Sequence, residues 1–427
     1  MKNWLQTFTQ VFKIPELRNK ILFIFGIFAV FRIMANIPIP GINVESLKAL
    51  FAQFQLLGLL NIFTGGALEK LSIVMLGLGP YITAVVILQL LTMVFPQLEK
   101  LYKEEGEEGR QKFEQYGRIL TFPLASLQAF SMLSLFARQG IVPELDLISK
   151  ISAVLTVAAG SLLLMWFGEL ISEKGIGNGT SLLIFAGIVA DFPRNLGQIV
   201  ASYNPLMITN YLIFLAMCLI IIAGVTLVNE ARRNIPVSYA KRVRGRLVYG
   251  GSSTYLPLNI NPAGVMPIIF ALSILTFPPM LANFFAGAGN SWGRIAQSIA
   301  NFFNNAWTHG ILYFFLVFLF TYFYTLVTFN PNSIAENLQK MGGFVPGIRP
   351  GQSTAKFLEF ILNRILPIGA LFLGLIALMP TIVQGLTRIT AFYFLTGGTS
   401  ILILVSVILE TVREIKAQLE MREYETF

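Results

Sequence analysis

Long apolar runs separated by short polar stretches organise this chain. Ten of them approach the roughly 20 residues that an α-helix needs to cross a hydrocarbon layer of about 30 Å. They fall at about 20–38, 72–95, 117–137, 152–171, 181–200, 210–229, 263–284, 310–330, 362–383 and 393–412. No long polar domain interrupts them. The first run reads as a retained span. It is too long for a cleavable leader, it ends in Ile-Pro-Ile-Pro at 37–40, and no small-residue cleavage site follows.

Composition sharpens this picture. Of 427 residues, 55% are hydrophobic and only 12% charged, against about 25% charged in an ordinary soluble domain. The chain lacks the polar skin that water would require, so the bilayer is its expected solvent. Single copies of Cys (Cys218) and His (His309) exclude an intrachain disulfide, a thiolate cluster and a His-pair metal site.

Charge sets the orientation. The balance is +9, from 31 Lys and Arg against 22 Asp and Glu. The basic residues concentrate in the N-terminal tail (Lys2, Lys13, Arg18, Lys20), the loops after even-numbered spans and the C-terminal tail. Arg32 is among the few on the opposite side. With ten spans, this bias places both termini in the cytoplasm.

Reactive chemistry is sparse. The acids of the spans read as sitting at span ends: Glu169, Glu230 and Glu410. Deep polar residues are few, mainly Thr83, Gln89 and Asn178. Gly175-Ile-Gly-Asn-Gly lacks the preceding strand of a phosphate loop. The bundle therefore reads as a passage and not a reaction centre. A small-solute transporter would need a polar midplane site. A membrane-embedded enzyme would have to use groups such as His309 and Glu169.

Several segments outside the spans carry information. Trp4, Leu5, Phe8, Val11 and Phe12 share one face of a short interfacial helix over 3–12. The stretch 43–71 is apolar yet too short to span, and Gly65-Gly66 interrupts it. It reads either as an interfacial loop or as a re-entrant piece shielded inside the bundle. The loop 99–116, with Glu104, Glu105, Glu107 and Glu108 among its Lys and Arg, reads as a solvated face.

The loop 230–260 crowds Arg232, Arg233, Lys241, Arg242, Arg244 and Arg246 together, with a hairpin tip expected near Arg244-Gly245. That charge serves orientation, docking of an anionic partner, or both. In the loop 331–361, Ser333 is the expected cap of a helix running to Met341. Val345-Pro-Gly-Ile-Arg-Pro-Gly351 then holds Arg349 on a stiff tip, and Ser353 or Thr354 is the expected cap of the next helix. Within the spans, Gly77, Gly79, Pro80, Gly187, Pro267 and Pro278-Pro279 are compatible with helices that part, or with ordinary membrane packing.

An ordered set of motifs resembles one family. It comprises Phe63-Thr-Gly-Gly-Ala-Leu, Leu76-Gly-Leu-Gly-Pro-Tyr-Ile, Glu173-Lys-Gly-Ile-Gly-Asn-Gly, Ile184-Phe-Ala-Gly-Ile and Tyr239-Ala-Lys-Arg. Leu256-Pro-Leu, Ala263-Gly-Val-Met-Pro, Phe344-Val-Pro-Gly-Ile-Arg-Pro-Gly and Gly397-Gly-Thr-Ser complete it. Over essentially the whole chain these resemble the SecY family, the channel subunits of the bacterial Sec protein translocase. Gly79 is a departure, where some relatives would carry a larger apolar residue.

The resemblance implies an all-α polytopic membrane protein. Its ten transmembrane helices would form two pseudo-symmetric five-helix halves around an hourglass pore. The segments would be an N-terminal piece at 1–18, one half at 19–203, the other at 204–412 and a C-terminal tail at 413–427. It also implies a pore ring of Leu78, Ile82, Ile184, Ile188, Ile269 and Ile403. A plug would cover about 60–71, including Asn61, Ile62, Phe63, Thr64, Gly65, Gly66, Ala67 and Leu68. A lateral gate between spans two/three and seven/eight would have Thr83 and Gln89 at or near it.

Docking would use Arg242, Arg244, Arg246 and Arg349. Implied partners are the SecE and SecG subunits, the SecA ATPase, the ribosome with its rRNA, signal sequences, unfolded preproteins and lipid. The implied location is the bacterial inner membrane. No enzymatic activity, metal or cofactor is implied. The spacing is compatible with the ring, since Leu78/Ile82 and Ile184/Ile188 are i, i+4 pairs. A collar of branched alkyl groups resists water and ions yet makes no sequence-specific contacts with a sliding chain.

Overall fold

Helices at all ten expected positions build the protein, with a small β-sheet at one end. The computed structural model describes residues 12–39, 61, 64–103, 106–138, 140, 146–201, 205, 208–239, 242–244, 247–249, 253–285, 291–387 and 398–425. The interfacial helix expected over 3–12 and residues 43–60 therefore fall almost wholly outside the described residues.

The first half contains α1 (Pro15–Met34), α2 (Gly79–Val94), α3 (Pro96–Lys103), α4 (Gly106–Arg138), α5 (Leu147–Lys174) and α6 (Gly179–Ala201). The second half opens with α7 (Ile208–Glu230). Four strands follow: β1 (Arg232–Tyr239), β2 (Arg242–Arg244), β3 (Leu247–Tyr249) and β4 (Ser253–Asn259). Then come α8 (Met266–Phe285), α9 (Ser291–Asn304), α10 (Ala306–Thr328), α11 (Pro331–Lys340), β5 (Gly343–Phe344), α12 (Gln352–Thr387) and α13 (Gly398–Glu425).

Among the described residues, five helical stretches are long and apolar enough to cross a bilayer unaided, or six if the bent α2–α3 pair counts as one. The others fall short for local reasons. The α1 helix carries Glu16, Arg18, Lys20 and Arg32, and α13 carries Glu410, Arg413 and Glu414. Such helices cross a bilayer by packing on neighbours that cover their polar groups.

Expected span two begins later than its apolar run. Residues 72–78 form tight turns, and the helix starts at Gly79 with Pro80 in its first turn. Proline fits there because its missing N–H has no intrahelical partner to lose. Gly77 adopts φ +56°, a backbone that side chains disfavour. The preceding turns are pinned to the end of α1: Ile39 N–H donates to Leu71 O at 2.9 Å, and Ile73 N–H donates to Ile37 O at 3.1 Å.

The two halves meet along two seams. On one, α8 packs against α2 and α4; on the other, α13 packs against α6. The main core cluster crosses both. It includes Leu78 of the turn leading into α2, Ile184 and Ile188 of α6, Ile269 of α8 and Ile403 of α13. The unanticipated α9 packs on α8 through Ala296 and Ala300 and leaves Ile295, Ile299 and Phe302 exposed. That exposed apolar stripe suits a helix lying along a membrane interface.

Candidate functional site: a waist cavity, a buried turn segment and a sheet platform

The apolar cluster encloses a narrow cavity of about 60 Å³. Leu78, Ile82 and Thr83 line it from the α2 region, Ile184 from α6, and Ile269 and Ser273 from α8. Helix α4 adds Gln128 and Met132. The Ile82 N–H donates to Leu78 O at 3.0 Å, so these two side chains stack on one helical turn. Ile188 and Ile403 are buried in the same cluster but do not line the cavity.

Thr83 faces the seam between α2 and α8, and its hydroxyl is spent on Gly79 O at 2.8 Å. Gln89 lies further along α2, buried and away from the cavity. Its Oε1 finds no hydrogen-bond partner among the described residues. A polar contact that the sequence did not single out crosses the same seam. The Ser131 hydroxyl of α4 donates to Met280 O of α8 at 2.6 Å.

Thr64 and Leu68 of the glycine-interrupted stretch line the cavity too. Residues 64–68 and Leu71 are buried among the helices. Ile62 and Phe63 lie outside the described residues. Asn61 organises the turn: its Oδ1 accepts from the Glu69 N–H at 2.9 Å, and its carbonyl accepts from the Thr64 hydroxyl at 3.1 Å. Gly65 and Gly66 adopt φ +66° and +77°. A Cβ on Gly65 would stand 2.8 Å from Gly187 Cα of α6, and one on Gly66 would stand 2.7 Å from an Asp191 carboxylate oxygen. Glycine is required here by conformation and by closeness.

Asp191 corrects the expectation that acids occupy only span ends. It sits inside α6, buried at 6% exposure. The single acid within the apolar run 181–200 was the signal in the sequence.

At the other end of the bundle, the two basic loops form one platform. Strand β1 pairs antiparallel with β4 from Arg232 to Ser238, and also with β5 through Ser238↔Phe344 and Tyr239↔Gly343. The hairpin tip continues as β2 and β3, paired through Arg244↔Leu247. The backbones of Arg242 and Arg244 lie in that tip, whereas Arg246 falls outside the described residues. Beneath the sheet, Ile235, Leu258, Val345 and Leu358 form a buried cluster. It ties β1, β4, the Arg349 turn and α12 together.

Arg349 is exposed on a turn closed by the Ile348 N–H donating to Val345 O at 3.0 Å. Two caps differ from expectation. Asn330, not Ser333, caps α11: its Oδ1 accepts from the Asn332 N–H at 3.1 Å and the Ser333 N–H at 3.3 Å. Ser353 and Thr354 lie within α12, which begins at Gln352. There the Thr354 hydroxyl donates back to Arg349 O at 3.0 Å, fixing the tip to the helix.

Comparison with known proteins agrees with these features. The SecY family matches residues 72–412. The chain is 44% identical over 446 residues to the protein translocase subunit SecY of Streptomyces scabiei, covering 99% of each chain. It is 42% identical to that of Thermotoga maritima, over 99% of this chain and 97% of that one. The chain belongs to the SecY family. It is a multi-pass membrane protein. A solved protein-conducting channel shares the fold with a TM-score of 0.64 at 17% identity, over 92% of this chain and 91% of that one.

Proposed function

We propose that this SecY family member is the pore subunit of a protein-conducting channel in the bacterial inner membrane. It passes unfolded secretory polypeptides across the bilayer and releases membrane segments sideways into it. The observation that carries this reading is the waist cavity. Apolar side chains from the α2 region, α6 and α8 converge on it, and the buried segment 64–71 lies against it.

Leu78, Ile82, Ile184, Ile188, Ile269 and Ile403 act as the constriction, sealing against ions around an extended chain. Residues 60–71 act as the plug. The α2/α4–α8 seam is the lateral exit, with Thr83 on its cavity side. Both termini and the β-sheet platform face the cytoplasm. There Arg242, Arg244, Arg246 and Arg349 receive the SecA motor or the ribosome, whose rRNA phosphates suit Arg. SecE and SecG complete the complex. Energy comes from SecA hydrolysing ATP or from chain elongation on the ribosome.

The test is reconstitution with SecE and SecG in liposomes, with SecA, ATP and a radiolabelled secretory precursor added. Precursor protected from external protease only when ATP is present supports the reading. Folded complexes that protect none, while driving uptake of a small solute, would favour a transporter.

A further inference from the structure

The buried segment is held by charges as well as by packing. At the bundle end remote from the β-sheet, the Arg194 guanidinium of α6 grips both oxygens of Glu69, at 2.9 and 2.6 Å. Arg32, in the last turn of α1, donates from Nη1 to Gly65 O at 2.7 Å. Its Nη2 lies 3.8 Å from Asp191 of α6. Lys70 donates to the Asn36 amide oxygen just after α1. Burial, and next the positive charge of Arg32, hold the Lys70 ammonium below its ordinary range. The segment is thus tied by its backbone to α1 and by a carboxylate to α6.

Sealing alone does not account for this arrangement. An apolar turn filling an apolar waist is already stabilised by burial. A two-pronged Arg–carboxylate contact adds direction and a defined breaking point. Asp191 is buried beside Gly66, with Arg32 as its ion-pair partner. Losing Arg32 would leave a buried charge exposed to an uncompensated cost. Glu69–Arg194 and the Arg32–Gly65 carbonyl bond tie the segment to α6 and α1, contacts that must break when it leaves the waist, while Arg32–Asp191 joins α1 to α6 and holds Arg32 in place.

We propose that Glu69–Arg194 and Arg32–Asp191 with the Gly65 carbonyl form an ionic latch that sets how readily the plug leaves the closed channel. The proposal rests on the pore reading above. These are positioning residues: they touch no translocating chain in the closed state and act by biasing the closed position of the segment. Weakening the latch lowers the threshold for opening, so the channel leaks ions at rest and accepts precursors whose signal sequences are defective.

The experiment compares wild type, Glu69→Arg, Arg194→Glu and the charge-swapped double variant, each purified with its partner subunits. Resting ion conductance is read in planar bilayers, and precursor translocation in liposomes. Each single variant is expected to raise resting conductance and uptake of a signal-defective precursor by about five- to tenfold, the scale of one partly buried, two-pronged ion pair. The double variant, which restores opposite charges, is expected to return both readouts to within about twofold of wild type. Single variants that match wild type, while wild type translocates normal precursor, overturn the latch and leave the pore reading intact. Leaky singles that the swap fails to rescue also overturn it. An intact complex that translocates no normal precursor sinks the pore reading, and the latch with it.

Discussion

Gly65 and Gly187 touch backbone to backbone, so that a Cβ on Gly65 would stand 2.8 Å from the Gly187 Cα. This contact seats the buried segment directly on α6, one residue from Ile188. It has a consequence for closure. Gly65→Ala adds both that collision and a left-handed strain of about 1–2 kcal/mol. The expected outcome is a segment displaced from the waist, with resting ion conductance raised about tenfold or more. Conductance equal to wild type in a properly assembled complex would show that this contact does not govern closure.

The constriction should depend on its apolarity. Ile188→Ser and Ile403→Ser each replace buried alkyl surface by a hydroxyl, with a loss of about 1.5–3 kcal/mol of burial and a new foothold for water. Ion leak during translocation, read as current through channels holding a stalled precursor, should rise about tenfold. Ile408→Ser, at an exposed position on the same helix as Ile403, should leave that current unchanged.

Ser131 and Met280 join α4 to α8 across the seam. Hydrogen bonds between membrane helices contribute about 0.6 kcal/mol on average. Ser131→Ala should therefore raise the fraction of signal sequence photo-crosslinked at the seam by about two- to threefold, without loss of assembly. An unchanged fraction would remove this bond from the gate.

Arg349 should matter to partners and not to folding. It is exposed, and the turn beneath it is fixed by Val345, Ile348 and Thr354. Arg349→Glu should change thermal stability by no more than about 0.5 kcal/mol. SecA-driven translocation should fall about tenfold or more. A large fall in stability would mean instead that the side chain supports the platform.

Much of this was legible in the sequence because the bilayer imposes a length on every span. The ten apolar runs all correspond to helices, with ends displaced where local chemistry decides. Span two is the clearest case: its run starts at Ser72, but Gly77 and Pro80 hold the chain in turns until Gly79. The two-residue strand β5 had no such signal. Its pairing with β1 depends on where the distant α11 delivers it. Competition between neighbours explains the missed cap, since Asn330 precedes Pro331 and reaches the free N–H groups before Ser333 can. Arg32 and Asp191 were visible singly, as one charge at the end of an apolar run and one inside another. Their meeting beside Gly65 and Gly66 is a property of the fold.

The central claim is that a polypeptide passes the ring formed around the waist. The most direct measurement is a crosslink in a Cys218→Ser background, with the sole cysteine introduced as Ile188→Cys. A secretory precursor carrying one cysteine is stalled halfway and the complex oxidised. An ATP-dependent disulfide between position 188 and the precursor is the expected result, with little or none from Val189→Cys, whose side chain is exposed on the outside of the same helix. No adduct at 188 together with reaction at 189 would contradict the account, because the chain would then travel along the outside of α6 and not through the bundle.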